Sequence, residues 1–425
     1  MNIDPSTRNV IQLAFSFFTN FVAFNTQGFI EEAVIDSASQ DGSINKHAGY
    51  HSLAIIYAFY TIGNLTSAQI VNMISAKWAM CIGVLTYAHF HASFLFLDQT
   101  YLYFASALLG FGASKTSSRN SSILWAIHES ALIIGGLMLL VVFSLTDTHD
   151  GIPRTTIKIL YTTFAILSLI SAMIFACLKT PTYIENTKKH SFTKLLGSTF
   201  RLFCTKKMLI LVFVFSYAGI EQAFWTGIYP TAISFTRKLG YNTNALLAIN
   251  QICTGIGQVG AGSILGIFGD KTRKLGRDYL IIFGTIIHII AYILCYVNYP
   301  HDASLRKTEL SGALIEPNLS ISLFIGILLG FADACWNTQI MSILCDIFSE
   351  KGAQAFAIFR FYESLLSCVT FYYSSVVSFH VLLMFLIVFA VIAAICFFIV
   401  ERFLSRKDAV AIIENKTETG FQILE

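Results

Sequence analysis

Residues 381–400 read VLLMFLIVFAVIAAICFFIV, twenty consecutive positions without a charged side chain. A helix of this length rises about 30 Å, which matches the hydrocarbon core of a bilayer. Similar apolar runs recur along the 425 residues. We predict helices at about 9–30, 50–72, 76–96, 101–113, 122–145, 155–178, 207–235, 243–268, 278–298, 319–346, 354–378 and 380–403. The pattern indicates an all-α integral membrane protein with about twelve transmembrane helices.

The composition agrees with this class of protein. Hydrophobic residues make up 55% of the chain and charged residues 12%, whereas ordinary globular proteins carry about 25% charge. A net charge of +3, without a concentrated basic face, argues against nucleic acid as a partner. No P-loop or hydrolase triad appears, so we expect neither an enzyme nor a cofactor. We also expect no metal site, because His89, His91, His128 and His288 are scattered over the predicted helices without ligand spacing.

The distribution of positive charge predicts the orientation. With the N-terminus in the cytoplasm, twenty Lys and Arg residues fall on the cytoplasmic side, seven fall outside and Arg360 lies within a helix. Because cytoplasmic loops carry an excess of Lys and Arg, we expect both termini in the cytoplasm. Residues 408–413, DAVAII, weakly resemble an acidic dileucine sorting signal. The plasma membrane and the endolysosomal membrane therefore both remain open as locations.

An internal repeat predicts the domain organisation. LAIIYAFYTIGN at 53–64 aligns with LAINQICTGIGQ at 247–258, and LLGF at 108–111 recurs at 328–331. A parallel repeat of two six-helix units is typical of the major facilitator architecture. We expect an N-terminal half at 1–178, a cytoplasmic linker at 179–206, a C-terminal half at 207–403 and a cytoplasmic tail at 404–425.

The repeat also shows that the fourth predicted helix is short. Glu129 follows Gly110 by 19 residues, whereas the equivalent Glu363 follows Gly330 by 33, so the first half lacks 14 residues near Ala113. A helix of about 13 residues rises roughly 20 Å and does not cross a bilayer. Two explanations remain open: a coding segment has been skipped, or the protein has lost part of this helix.

Four stretches of sequence carry a family resemblance. They are YHSLAIIYAFYTIGNL at 50–65, SRNSSILWAIHES at 118–130, LLGFADACWNTQIMSIL at 328–344 and AFAIFRFYESL at 355–365. They resemble the Unc-93-like family of the major facilitator superfamily, in particular its orphan major facilitator domain-containing branch. The resemblance implies a secondary transporter of a small solute. Because relatives include a potassium-channel regulatory subunit and a trafficking partner of immune receptors, the alternative is a non-transporting partner of a channel or other membrane protein.

The loop between the eighth and ninth predicted helices has a recognisable pattern. Residues 266–278, GIFGDKTRKLGRD, resemble the superfamily's G-x-x-x-D-x-x-x-R-x-G-R loop. The resemblance assigns gating roles to Asp270, Arg273, Gly276 and Arg277, while a plain positively charged loop is the alternative. Nearby, GIGQVG at 255–260 lies in an apolar helix, so we expect close helix packing there, aided by Gly262 and Gly266.

Polar side chains at membrane depth are the candidate binding or coupling groups. An ionisable group there costs several kcal/mol unless it is paired or hydrated. The candidates are Glu221, Gln222, Asp333, Asn337, Glu129, Glu363, Arg360, Asn64 and Gln258. The alternative role for these groups is interhelical hydrogen bonding that fixes packing. We expect Arg360 either to neutralise Glu363 or to extend to the cytoplasmic surface.

One further residue is a modification candidate. Asn318, in the sequon NLS, is the clearest external glycosylation position, although it lies close to the tenth predicted helix. The expected partners are the lipid bilayer and an unidentified small solute, with a channel or receptor subunit under the alternative hypothesis.

Overall fold

The computed structural model describes residues 5–40, 42, 44–114, 121–146, 151–178, 192–240, 242–267 and 276–421. Helices dominate these ranges, as the sequence predicts. In chain order they are α1 (Pro5–Ser39), α2 (Ala48–Ile74), α3 (Ala76–Ser93), α4 (Gln99–Ala113), α5 (Ser121–Ser144), α6 (Arg154–Ala176), α7 (Phe192–Phe203), α8 (Lys206–Ala223), α9 (Tyr229–Phe235), α10 (Thr243–Ile267), α11 (Arg277–Asn298), α12 (Leu319–Ile347), α13 (Gly352–Ser374) and α14 (Phe379–Phe421). The π-helical turn Phe224–Ile228 joins α8 to α9.

Five segments of the described chain are each long and apolar enough to cross a membrane. They are Arg154–Ala176, Lys206–Phe235, Arg277–Asn298, Leu319–Ile347 and Phe379–Arg402. Of the other long helices, α1 is the most polar, and its second half contains Glu31, Glu32 and Asp36. Such groups are tolerated at membrane depth where they face the interior of a helix bundle.

Helix packing repeats along the chain. In the first half, α1 packs on α5 and α6, α2 packs on α4, and α3 packs on α4 and α6. In the second half, α8 packs on α13 and α14, α10 packs on α12, and α11 packs on α12 and α14. The two sets of pairs are the same when α1–α6 are matched to α8 and α10–α14. The structure therefore confirms two six-helix halves, and α2–α13 and α5–α10 are the main helix pairs between them.

Equivalent glycines make equivalent helix crossings in the two halves. A Cβ atom at Gly110 would overlap the backbone oxygen of Ile56, and one at Gly330 would overlap that of Thr254. α4 thus crosses α2, and α12 crosses α10, with backbones in direct contact. Small residues permit this close approach between membrane helices.

The fourth helix is short, as predicted. α4 has 15 residues and rises about 22 Å, whereas its counterpart α12 has 29 residues. Its first turn is capped by the Asp98 carboxylate, which accepts a hydrogen bond of 2.8 Å from the backbone N–H of Tyr101. The helix ends at Ala113. Residues 115–120 lie outside the described ranges.

Two helix ends and one additional helix differ from the sequence-based expectation. α1 continues to Ser39, beyond the predicted end at residue 30, because its carboxylates are buried within the fold and do not lie in a solvated loop. The predicted linker contains α7, and the Phe203 ring there stacks on Tyr362 of α13 at 5.9 Å. α14 continues to Phe421, so helix extends through most of the predicted tail. The domain boundaries within 179–206 stay predictions, since residues 179–191 are not described.

A proline accounts for the irregular turn between α8 and α9. Pro230 follows the π-helical turn and lies at the start of α9. Proline lacks an N–H donor, and its ring clashes with the carbonyl four residues earlier, which is that of Thr226. A local widening of the helix relieves this clash.

Candidate functional site

A buried polar cluster lies between α8, α11 and α12 in the second half. The Nε2 atom of His288 lies 3.2 Å from Oε1 of Glu221, and both side chains are almost completely buried. Nδ1 of His288 lies 2.6 Å from the Tyr217 hydroxyl, which lies 3.1 Å from the hydroxyl of Tyr292. The structure therefore gives Glu221 an imidazole partner on another helix. The sequence analysis considered His288 only as a metal ligand and rejected that role. The structure places it beside the Glu221 carboxylate.

Asp333 is the centre of a second hydrogen-bonded group. Its carboxylate accepts hydrogen bonds from the Gln258 side-chain amide of α10 at 2.9 Å and from Asn337 one turn further along α12 at 2.8 Å. Asn337 thus shares a face with Asp333, as helical spacing predicts. The ring of Trp336 packs against Tyr217 at 4.9 Å, which brings the Asp333 group beside the Glu221 cluster.

Both groups lie within the bundle of the second half. The polar side chains described above come from α8, α10, α11 and α12, all of which belong to that half. Buried, partnered polar side chains of this kind fix helix positions. This placement is compatible with the structural alternative for Glu221, Asp333, Asn337 and Gln258, and their roles stay predictions.

Arg360 and Glu363 lie in a different place, where the two halves meet. Nη1 of Arg360 donates a 2.6 Å hydrogen bond to Oε2 of Glu363 on the same face of α13, which is the first of the two arrangements expected for Arg360. Next to Glu363, the Ser364 hydroxyl accepts a 2.7 Å hydrogen bond from Thr61 of α2. Tyr57 of α2 lies within electrostatic range of the ion pair. The side chain of Arg360 is 22% exposed and that of Glu363 is 6% exposed.

The remaining candidates are less closely defined. Gln222 and Asn64 are half-buried on α8 and α2. Glu129 belongs to α5, but its side chain lies outside the described part of the structure. Asn318 caps α12 by accepting a 3.2 Å hydrogen bond from the N–H of Ile321, and its glycosylation stays a prediction.

Sequence reasoning missed three buried carboxylates on α1. Glu31, Glu32 and Asp36 are 0%, 2% and 6% exposed. They follow the predicted end of the first helix, where acidic residues suggest the start of a loop. The sequence does offer one signal. Gln27 and Glu31 are four residues apart, so the two polar side chains share a face of a helix that continues past residue 30.

Contacts between the halves close the predicted external end. Nζ of Lys307, in the α11–α12 connection, lies 3.0 Å from Oδ2 of Asp36 on α1. The hydroxyl of Tyr50 at the start of α2 donates a 3.0 Å hydrogen bond to the backbone oxygen of Ser304 in the same connection. A cavity of about 420 Å³ lies beside these contacts, lined by Ser37, Ser234, Arg237, Asn244, Lys307 and Glu309 among others.

One face of α10 is uncovered at the opposite end. A Cβ atom placed on Gly260, Gly262 or Gly266 would have no neighbouring atom within 4 Å among the residues described. Earlier along α10, a Cβ on Gly255 would lie 2.8 Å from the Ile133 side chain of α5. The prediction that Gly262 and Gly266 support close packing is therefore wrong for the residues described, because these glycines lie on an uncovered face of α10, while Ala261 and Leu265 beside them pack against α12.

Arg277 forms a charge cluster at the predicted cytoplasmic end. Its guanidinium ion-pairs with Asp346 at the end of α12, and its Nε atom lies 3.1 Å from Glu401 of α14. Gly276 precedes it with φ of +101°, a conformation that favours glycine. Asp270 and Arg273 lie outside the described residues, so a gating role for the loop stays a prediction.

Comparison with known families identifies the chain. The family described as "Ion channel regulatory protein UNC-93" matches residues 40–398. The chain belongs to the UNC-93 family. UNC93-like protein MFSD11 of Xenopus tropicalis is 30% identical over 447 residues, covering 96% of this chain and 99% of the relative. Protein unc-93 homolog A of Homo sapiens is 21% identical, covering 89% and 90%. The Xenopus alignment is longer than 425 residues, so that UNC-93 relative contains residues that this chain lacks.

Solved structures place this UNC-93 family member in the major facilitator fold. The peptide transporter POT in complex with sulfate has a TM-score of 0.63 at 10% identity, covering 94% of this chain and 99% of that chain. The nucleoside transporter NupG has a TM-score of 0.59 at 15% identity, covering 92% and 98%. FucP in the outward conformation has a TM-score of 0.58 at 14% identity, covering 92% and 97%. At these identities the likeness shows the fold alone.

Proposed function

We propose that this protein is a secondary carrier that moves a small solute by alternating access between its two halves. The fold is that of membrane transporters, and its relatives include UNC93-like proteins of similar length. The proposal assigns no enzymatic chemistry to the chain. It takes both termini to be cytoplasmic, following the bias in positive charge.

The observation that carries this proposal is the unequal closure of the two ends. Lys307 and Ser304 of the second half contact Asp36 and Tyr50 of the first half at one end. At the other end, the face of α10 that carries Gly262 and Gly266 is uncovered among the described residues. A carrier needs two such states in alternation, and rigid-body movement of repeats around a central site supplies them. The proposal takes this arrangement to be the state that opens to the predicted cytoplasmic side.

Arg360 and Glu363 are the proposed solute-contacting groups. They lie on α13 at the α2 interface, where movement of the halves changes their surroundings. A partly exposed guanidinium suits an anionic or carboxylate-bearing solute, because it offers several donors in a fixed geometry. Glu221 and Asp333 support this site by holding α8, α10, α11 and α12 together.

Solute accumulation with a matched variant tests this proposal. Vesicles containing the wild-type chain or Arg360→Gln are incubated with a defined mixture of metabolites, and their contents are measured by mass spectrometry. We expect at least one solute to accumulate about tenfold less with the variant, because one charge-assisted hydrogen bond contributes about 1.5–3 kcal/mol. Arg306→Gln is the control, since Arg306 lies in the α11–α12 connection and its side chain is 64% exposed. Equal accumulation with wild type and Arg360→Gln would contradict the site.

A second candidate function is a non-transporting partner of a channel or other membrane protein. The short α4 favours it, since its rise of about 22 Å is less than the hydrocarbon core of about 30 Å. The matching family is described as an ion channel regulatory protein. A stable membrane partner after mild purification, together with unchanged vesicle contents, would favour this function.

A further inference from the structure

The three buried carboxylates of α1 differ in their partners. Glu32 lies 2.9 Å from Nδ1 of His47 and also accepts a 2.9 Å hydrogen bond from the N–H of Tyr50. Asp36 lies 3.0 Å from Nζ of Lys307. Glu31 accepts a hydrogen bond from the Gln27 amide, a neutral group. Among the described residues, Glu31 is thus the carboxylate of α1 that has no cationic partner.

Three polar atoms around Glu31 are left without hydrogen-bond partners within the described part of the chain. They are Oε1 of Glu31, Oε1 of Gln27 and the hydroxyl oxygen of Tyr161. All three side chains are 0% exposed. Tyr161 of α6 lies within electrostatic range of Glu31, and Ser52 of α2 faces the same carboxyl group. A native fold rarely leaves several buried polar atoms unsatisfied in one place unless something further binds there.

A proton is the ligand that this arrangement suits. It removes the cost of a buried carboxylate without a cation. It also turns Glu31 into an O–H donor, for which the oxygens of Gln27 and Tyr161 are ready acceptors. A metal cation would need more oxygen ligands than the one carboxylate, one amide and two hydroxyl groups gathered here.

The other ionisable groups near Glu31 have partners of their own. They are Glu32, Asp36, His47, Tyr50 and Lys307, paired as described above. His91 of α3 is turned towards Ser168 of α6, with 3.3 Å between Nδ1 and Oγ. The described part of α5 from Ser130 onwards contributes no ionisable side chain. Uptake of a proton near α1 is therefore centred on Glu31.

We propose that Glu31, with Gln27 and Tyr161, forms a proton-binding site in the first half and couples solute movement to proton movement. The coupling rests on the proposed carrier function, whereas proton binding does not. Protonation forms one O–H bond on Glu31, and the proton returns to water when the carboxylate is restored. α1 contacts both α2 and α10, so a change of charge on it acts on the interface between the halves.

Infrared difference spectroscopy tests the site without a known solute. The purified full-length chain in liposomes is cycled between two pH values, and the carbonyl band of the protonated acid is followed. We expect a titrating acid band that is lost in Glu31→Gln and kept in the matched variant Glu221→Gln. Tyr161→Phe removes one acceptor without changing shape, so the band should stay but shift. Size-exclusion chromatography confirms that each variant is folded.

The outcomes separate the two proposals. An acid band that survives Glu31→Gln, or that sodium ions abolish at constant pH, would overturn the proton site. If Glu31→Gln does not fold, the Tyr161→Phe spectrum decides, and an unshifted band would overturn the proposal. Loss of the band in Glu31→Gln supports the site, even where vesicles show no solute accumulation. That last result would contradict the carrier function alone.

Discussion

Lys307 and Asp36 form an ion pair of 3.0 Å between the second half and α1 at the predicted external end. The Asp36 side chain is 9% exposed and that of Lys307 is 23% exposed, so the pair is only partly screened by water. Separation of the two halves at this end must break it. The pair therefore stabilises the state in which the external side is closed.

Asp36→Asn should open the external side more often. A hydrogen bond to a charged group contributes about 1.5–3 kcal/mol, which corresponds to a population shift of about tenfold or more. A cysteine introduced at Ser37, which lines the adjacent cavity, reports the change through its rate of reaction with a membrane-impermeant maleimide. The exchanged pair Asp36→Lys with Lys307→Asp should restore slow labelling. An unchanged rate in Asp36→Asn would show that the ion pair does not hold this end closed.

A glycine pair tests the close crossing of α10 and α12. Gly330→Ala should destabilise the protein by about 1–3 kcal/mol, because its Cβ would overlap the backbone oxygen of Thr254. Gly262→Ala, in open space on α10, should be neutral or stabilise by up to about 1 kcal/mol. Thermal unfolding in detergent measures both variants. Equal unfolding temperatures would contradict the helix crossing.

Asp333→Asn tests whether the hydrogen bonds that Asp333 accepts from Gln258 and Asn337 hold helices together. Asp333 accepts from Gln258 and from Asn337, whereas asparagine has one acceptor oxygen and would direct an NH₂ group at one of these donors. We expect a loss of about 1–3 kcal/mol in stability. Thermal unfolding provides the readout, with Asn337→Asp as a comparison variant. A neutral Asp333→Asn variant would mean that solute binding, and not packing, is the role of this residue.

The carboxylate of Glu316, in the α11–α12 connection, should make the stability of the fold depend on pH. It accepts hydrogen bonds from Lys238 at 2.8 Å and Ser311 at 2.7 Å, and these lower the pKa of Glu316 below its ordinary value of 4.5. A carboxylate with a lowered pKa stabilises the fold above that ordinary value, and this contribution is lost as the pH falls through the folded-state pKa. Glu316→Gln should therefore unfold at a slightly lower temperature than wild type at pH 7. The two unfolding temperatures should converge as the pH falls below that lowered pKa, and a constant difference would contradict this interaction.

The helices were largely predictable because apolar runs and loop charges are local properties of the sequence. The short α4 followed from comparing spacings in the two halves. The end of α1 was not predictable in the same way, since Glu31 and Asp36 look like loop residues until the other helices bury them. A hydropathy pattern carries no information on which distant groups supply that environment.

Contacts between candidate site residues were predictable only where both residues lie on the same helix. Asn337 with Asp333, and Arg360 with Glu363, followed from helical spacing of three or four residues. The contact of His288 with Glu221 joins α11 to α8, so it depends on how the helices pack. The same reason explains Gly262, where sequence alone does not show which face of α10 its neighbours cover.

The most direct test of the carrier account is the distance between the halves at both ends. Spin labels on Gly262 and Ile74 report the predicted cytoplasmic end, and labels on Ser37 and Glu309 report the external end. Labels are attached through introduced non-natural amino acids, because the chain has nine native cysteines. Alternating access predicts two distance populations for each pair, with Asp36→Asn lengthening the external distance and shortening the cytoplasmic one. A single distance at each end, unchanged by Asp36→Asn, would contradict alternating access and favour the partner-protein function.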